Sequence, residues 1–337
     1  MTFAKFDDNS ISITIDLNGT TASASQPAHI HNNTAAEGGG IAIDITSVDG
    51  TTGESVTVIT QTNDGVAITY EQLIDFDGYV NIHNSADDLG TLLAQGDIGQ
   101  NKLTGEFTEY EFLSDDPNVS GTFSFWERVN GETLAIVDIE GDGDRDSHIH
   151  GNSAAEGGGI LIDLNHVVAG KSKTNVSVKN DDTPITYDEL LEFDGYLNIH
   201  GDAGALIAQT DIGQNALTGN SVVYPLDRIA GVTGTVTFAE RNNGETLVRI
   251  QLIGTQAGNN HPCHIHNNDA ATGGNIAVDL NNVNGNTGRS VSNVTQLNNG
   301  TPIDYAGMIN YNGYINVHTS STNLGTLVAQ GDIGSNG

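Results

Sequence analysis

The sequence predicts an all-β protein made of three tandem Greek-key β-sandwich domains, each with a short helical turn. Three observations predict it. Apolar residues come in short alternating runs, broken by Asn, Asp, Thr and an abundance of glycine (42 of 337 residues); this is how strands joined by turns read. Two signatures recur three times each at a fixed order, and their step of 116 to 119 residues is that of a whole domain, not of a solenoid turn. The length allows two or three domains.

The first signature is Ala28-His29-Ile30-His31-Asn32-Asn33, returning as Ser147-His148-Ile149-His150-Gly151-Asn152 and Cys263-His264-Ile265-His266-Asn267-Asn268. The second follows about fifty residues later as Gly78-Tyr79-Val80-Asn81-Ile82-His83, Gly195-Tyr196-Leu197-Asn198-Ile199-His200 and Gly313-Tyr314-Ile315-Asn316-Val317-His318. The repeats divide the chain into domains at 1–100, 101–214 and 215–337.

The middle domain shows the elements in full. Leu103–Tyr110 opens it as a strand, Asp115-Asp116-Pro117-Asn118 turns, and Gly121–Trp126 follows as a second strand. Asn130-Gly131 is a hairpin signal leading into Thr133–Ile139. The His-Ile-His strand, a Gly157-Gly158-Gly159 loop and the strand Ile160–Leu164 come next. A variable loop and the strand Asn175–Val178 lead to Ile185–Phe193, read as helical turns with Thr186 as N-cap and acidic residues in the first turn. The Tyr-x-Asn-x-His strand and Ala205–Gln209 close the unit. Such short strands with frequent turns point to immunoglobulin-like sandwiches. In the first domain Thr2–Phe6 matches Thr122–Trp126 and Ile11–Leu17 matches the next strand, but nothing matches the opening strand, Leu103–Tyr110, or its counterpart Leu217–Tyr224. The chain stops at Asp332–Gly337, where the other copies run into that strand. One strand position is therefore expected to be open, and an open sheet edge is a pairing template. A head-to-tail contact through it is heterologous and can propagate into a filament.

In an extended strand residues i and i+2 share a face. His29 and His31 therefore project together while Ile30 enters a core, and Asn81 and His83 share the face opposite Val80 and Ile82. If the two strands neighbour each other, three imidazoles converge. The candidate metal ligands are His29, His31 and His83; His148, His150 and His200; and His264, His266 and His318. Three neutral imidazoles suit Cu²⁺, Zn²⁺ or Ni²⁺, with copper or zinc expected here. Asp44, Asp163 and Asp279, alternating with apolar residues, are candidates for a carboxylate ligand or a hydrogen-bonded support. His166 and His261 have no counterparts and receive no role.

The chain carries 43 acidic and 11 basic residues, a formal charge of −32. That excludes the basic footprint needed for nucleic acid or an anionic membrane surface. Calcium is a candidate ion for acidic loops such as Asp142-Gly143-Asp144-Arg145-Asp146, which lacks a distant bidentate Glu in the usual register. Cys263 is the only cysteine, so no intrachain disulfide forms. No apolar run approaches the ~20 residues that span a bilayer, so no membrane insertion is expected. The start lacks a signal-peptide profile, and Asn18, Asn32, Asn118, Asn175, Asn293 and Asn299 sit in glycosylation sequons.

The pairing of His-Ile-His and its Gly-rich loop with Tyr-Val-Asn-Ile-His and Leu-Gly-Thr-Leu-x-Ala-Gln-Gly resembles the CHRD (chordin-type) domain family. The opening Leu-Thr-Gly and the Gly-Thr-Phe-Ser-Phe strand fit the front of that domain, and the likeness runs through all three copies. The family's usual Val-His-Thr survives only at His318-Thr319, and the acidic residue that follows it is missing at Gly90-Thr91, Gly204-Ala205 and Gly325-Thr326. The resemblance implies a β-sandwich, a location outside the cell or on its surface, and a binding or structural role. Copper–zinc superoxide dismutases also carry His-x-His on a sandwich strand, but no bridging histidine, zinc-loop set or disulfide pair is present here, and no nucleophile set is evident. The expected function is a non-enzymatic structural protein that assembles head to tail, with one three-histidine metal site per domain. The alternatives are a soluble copper- or zinc-binding protein, for buffering or sensing, and a redox enzyme.

Overall fold

The computed structural model describes residues 1–20, 25–112, 119–141 and 143–337. The turn expected at 115–118, the sequon at Asn118 and the first carboxylate of the acidic loop, Asp142, lie outside the described residues. The protein is nearly all β, with 58% of residues in strands and 5% in helices, as the alternating pattern predicts. No helix among the described residues is long and apolar enough to cross a membrane.

The first repeat runs β1 (Thr2–Lys5), β2 (Ile11–Asp16), β3 (Ser25–Asn32), β4 (Ile41–Asp49), β5 (Glu54–Ile59), α1 (Tyr70–Ile74), β6 (Asp77–Ser85) and β7 (Asp88–Gly99). One sheet has the order β1-β2-β5 and the other β4-β3-β6-β7. Ile11, Ile13, Ala28, Ile30, Ile43 and Leu73 are buried between them. The second repeat runs β8 (Leu103–Glu111), β9 (Gly121–Arg128), β10 (Thr133–Ile139), β11 (Asp144–Gly151), β12 (Ile160–Asp163), β13 (Val167–Val168), β14 (Lys171–Val176), α2 (Tyr187–Leu191), β15 (Asp194–His200) and β16 (Leu206–Gly213). The third runs β17 (Leu217–Pro225), β18 (Thr233–Arg241), β19 (Thr246–Ile253), β20 (Asn260–Asn267), β21 (Ile276–Asn284), β22 (Arg289–Val294), α3 (Tyr305–Ile309), β23 (Asn312–Ser320) and β24 (Asn323–Gly334). Its strands follow one another in a single curled sheet, β17-β18-β19-β22-β21-β20-β23-β24, around Phe238, Val248, Ile265, Met308 and Ile315.

The chain groups into two compact units. The first holds 1–112, 119–146 and 163–190, and the second holds 147–162 and 191–337. The first unit thus contains the whole first repeat together with β8, β9, β10, β13 and β14. The second contains the His-Ile-His strand of the second repeat with β12, β15 and β16, and the whole third repeat.

The helical turns form where a polar cap meets an apolar step. Thr69 and Gln72 make a reciprocal capping box at α1. Thr186 does the same with Glu189 at α2, its hydroxyl accepting the Glu189 N–H at 3.3 Å. In the second repeat the strand expected at Asn175–Val178 starts instead at Lys171, inside the stretch read as a variable loop. Ser172 and Thr174 occupy its buried face ahead of Val176 and the lysines its exposed one, so the alternation is real but its first positions carry no aliphatic signal. The hairpin after β1 closes through Phe6 N–H to Ser10 O, as that after β9 closes through Arg128 N–H to Glu132 O. Phe6 therefore stands at the position of Arg128, two residues along from the match the sequence suggests.

Candidate metal centre

Each triad is built by two neighbouring antiparallel strands. His29 of β3 lies opposite Asn81 of β6, and His31 opposite Tyr79; His264 and His266 of β20 face Asn316 and Tyr314 of β23 in the same way. Ile30 and Ile265 between the histidines are fully buried, which fixes the imidazoles on the opposite face. Irregularities in the ladders fall beside these histidines. The β3–β4 register shifts between Ile30 and His31, and the β6–β7 register between Ile82 and His83. The same shifts occur at Ile265/His266, at Val317/His318 and at Ile199/His200. Such bulges twist a strand and re-aim its side chains.

The structure brings all nine predicted histidines together in their three sets, with one nitrogen from each ring within 4.8 Å of the others in its set. The rings of His29 and His83 lie 5.3 Å apart, and those of His264 and His318 lie 5.1 Å apart. The rings of His150 and His200 lie 6.5 Å apart. All are inside the ~8 Å beyond which bonds of ~2 Å cannot share an ion.

Hydrogen bonds decide which nitrogen faces inward. His31 Nδ1 lies 3.0 Å from Gly39 O, His150 Nδ1 3.0 Å from Gly158 O and His266 Nδ1 3.0 Å from Gly274 O. His83 Nδ1 lies 2.7 Å from Leu89 O and His318 Nδ1 2.7 Å from Leu324 O. A carbonyl only accepts, so each Nδ1 carries the proton and each Nε2 keeps its lone pair. His31 Nε2 and His150 Nε2 are buried with no hydrogen-bond partner.

The first histidine of the first and third sets is turned the other way round. His29 Nε2 faces Asp44 at 4.0 Å and His264 Nε2 faces Asp279 at 3.7 Å, beyond a direct hydrogen bond but within ion-pair range. That carboxylate favours the proton on Nε2, leaving Nδ1 as the donor atom. Nδ1 of His29 and of His264 is likewise buried with no hydrogen-bond partner. The set offered to an ion is thus one Nδ1 and two Nε2, each ring backed by an oxygen acceptor, which is how protein metal ligands are normally supported. The carboxylates act from behind the ring and are not themselves placed as ligands.

A second layer surrounds the rings. Tyr79 stacks on His31 at 4.8 Å, Tyr196 on His150 at 4.8 Å and Tyr314 on His266 at 4.9 Å. The tyrosine hydroxyl accepts the N–H of the glycine whose carbonyl holds the same histidine, at 3.2 Å from Gly39, 3.1 Å from Gly158 and 3.1 Å from Gly274. Only glycine fits there: a Cβ on Gly39 would lie 2.0 Å from Asn32 O. Gln95, Gln209 and Gln330 donate to the side-chain carbonyls of Asn81, Asn198 and Asn316. The Asn316 amide in turn lies 3.5 Å from His266 Nε2.

Burial and the neighbouring imidazoles hold His29 and His264 below the ordinary histidine range, against the smaller upward pull of Asp44 and Asp279. Burial also lowers His318. Protonation is thereby disfavoured, and a neutral ring is the form that binds metal.

The residues left without a role sit elsewhere. His166 bridges two carboxylates, with Nδ1 2.9 Å from Asp144 and Nε2 3.3 Å from Asp146, and they raise its pKa. The described carboxylates of the acidic loop are thus turned toward an imidazole. His261 is buried and donates from Nδ1 to His318 O at 3.0 Å. Cys263 is buried, its thiol pushed up to about 12 by desolvation.

Sequence reasoning missed the joints between repeats. Arg128 is buried and pairs with Asp97 at 2.7 Å; Arg241 is buried and pairs with Asp211 at 2.8 Å. Their signal was the repeated Glu-Arg-x-Asn-Gly-Glu in a chain with only 11 basic residues.

In the first and third repeats the His-x-His strand pairs directly with the Tyr-x-Asn-x-His strand. Residues 214–330 match the family model of the CHRD domain, a span that includes His264, His266 and His318. The match covers the third repeat, and the first two carry the same histidine triad. Comparison with curated proteins and with solved structures gave no match.

Proposed function

We propose that the protein is a metal-binding β-sandwich protein of the cell exterior, each triad holding one Cu²⁺ or Zn²⁺ ion. The observation that carries this reading is the wiring of the rings. In the first triad the inward Nδ1 of His29 and Nε2 of His31 have no hydrogen-bond partner, while the opposite nitrogens are directed at a carboxylate and a carbonyl. The third triad is wired alike, with His266 Nε2 also accepting from the Asn316 amide at 3.5 Å. Nitrogens bound to one tetrahedral ion at ~2 Å lie ~3.4 Å apart, so closing from within 4.8 Å takes small ring movements. Three neutral donors leave further coordination positions open and favour copper over zinc in intrinsic affinity. The role is binding, with the metal serving rigidity, buffering or sensing rather than turnover.

Metal analysis after loading tests this. The wild type is expected to hold three ions per chain, and the variant with His29, His31 and His83 all replaced by Ala two. An unchanged content in that variant overturns the reading. A copper-loaded form that disproportionates superoxide faster than free copper would instead favour the redox enzyme.

A second reading is head-to-tail assembly into a filament or surface polymer through the sheet β1-β2-β5, where among the described residues β1 pairs only with β2. Against it, Phe6 is exposed where Arg128 and Arg241 make the internal joints, so a contact between copies would not reproduce those joints. Sedimentation of the metal-loaded protein separates the two: growth with concentration supports the polymer, and a constant monomer removes it.

A further inference from the structure

The loop after each His-Ile-His strand is held at two ends by two different things. Within the first unit, Gly39 is gripped by His31 and Tyr79 of the triad. Four residues earlier, Ala35 N–H donates to Asp97 Oδ1 at 2.7 Å, and Asp97 Oδ2 accepts from Arg128 of the next repeat. Between these points Ala36 O accepts from Asn165 Nδ2, again of the next repeat, at 3.4 Å.

The second unit repeats this with different residues. Gly158 is held by His150 and Tyr196. Ala154 N–H donates to Asp211 at 2.7 Å, which pairs with Arg241 of the third repeat. Asn281 Nδ2 reaches Ala155 O at 3.3 Å, and Asn293 Nδ2 reaches Glu156 at 3.3 Å. In the third repeat Asp332 accepts Ala270 N–H at 2.8 Å in the same manner, but its arginine is Arg228 of the same repeat, half-exposed where the other two are buried.

We propose that metal occupancy of a triad tightens the joint between that repeat and the next, through the Thr34–Gly40 loop in the first case and the Ser153–Gly159 loop in the second. This rests on the metal-binding reading. An ion bound to His31 Nε2 fixes the ring whose Nδ1–H holds Gly39 O. Fixing Gly39 restrains a seven-residue loop whose other contacts are the joint. The binding step thus orders a segment that the joint also orders, and two events that order one segment favour each other. The coupling is reciprocal: loosening the joint weakens the metal. The third triad, whose loop is tied only within its own repeat, is the built-in control.

Hydrogen exchange on the full chain, with and without Zn²⁺, tests this. Zn²⁺ is expected to slow exchange in 34–40 and 153–159 and also around Arg128, Asn165, Arg241 and Asn281. His83→Ala should abolish the protection at 34–40, Arg128 and Asn165 and leave that at 153–159. In a chain keeping only the first triad, Asn165→Ala should weaken Zn²⁺ about fivefold; the same change in a chain keeping only the third should leave affinity unmoved. Full Zn²⁺ binding with protection confined to the triad strands overturns the coupling and leaves the metal reading standing. Absence of Zn²⁺ binding overturns both.

Discussion

At the scale of single residues, chemistry is assigned by the nitrogen that each ring does not offer to the ion. His31 and His83 give their Nδ1 protons to Gly39 and Leu89, whereas His29 turns its Nε2 toward Asp44. Asp279→Asn removes the charge behind His264 while keeping its shape. It is expected to weaken metal at the third triad by about 10- to 100-fold, the usual cost of losing such a support, as measured by calorimetry in a chain with the other two triads removed. Tyr79→Phe keeps the stack on His31 and loses the hydroxyl that accepts Gly39 N–H. A smaller loss of affinity than for Tyr79→Leu is expected, and equal affinities in the two variants would place no weight on the ring contact. The clustering of the histidines was legible in the sequence, because His-x-His and Tyr-x-Asn-x-His have the two-residue period of a strand. The mixed Nδ1/Nε2 wiring was not, since it depends on bulges at Ile30/His31 and Ile82/His83 that leave no mark on the pattern.

At the scale of elements, the Gly-rich loop and the joint decide how firmly the rings are held. Gly39→Ala sets a Cβ against Asn32 O and must displace the loop, so lower metal affinity is expected at the first triad alone, with the other two unaffected. Arg128→Met deletes the guanidinium and leaves Asp97 unpaired in a mostly buried place. Breaking a buried pair on one side costs about 3–5 kcal/mol, measurable as a fall in the denaturant midpoint of the first unit. Most strands could be placed from alternation. The start of β14 could not, because Ser172 and Thr174 take its buried positions and no aliphatic residue marks them. The arginine joints were hidden for a different reason: a charged residue at a strand end reads as surface until its partner, 31 residues away in the chain for Arg128, is brought beside it.

At the scale of the whole molecule, the histidines of the triads set a pH dependence. His29, His264 and His318 have lowered pKa values in the folded chain, while the unfolded chain titrates near the ordinary ~6.5. The unfolded state therefore binds protons first as pH falls. Their contribution to stability is complete above about 6.5 and is lost as pH drops from there through the lower folded values. Thermal unfolding of the metal-free protein should shift downward over that window, and a variant lacking all nine histidines should shift less. Metal release should follow the same direction, since protons compete for the same lone pairs.

The central claim is that each triad is a single metal site with one Nδ1 and two Nε2 ligands. Anomalous diffraction from crystals of the zinc- or copper-loaded protein tests it most directly. Three peaks are predicted, each about 2 Å from Nδ1 of the first histidine and Nε2 of the other two, in the sets His29/His31/His83, His148/His150/His200 and His264/His266/His318. Metal found only at surface carboxylates, with no peak between the imidazoles, would contradict it.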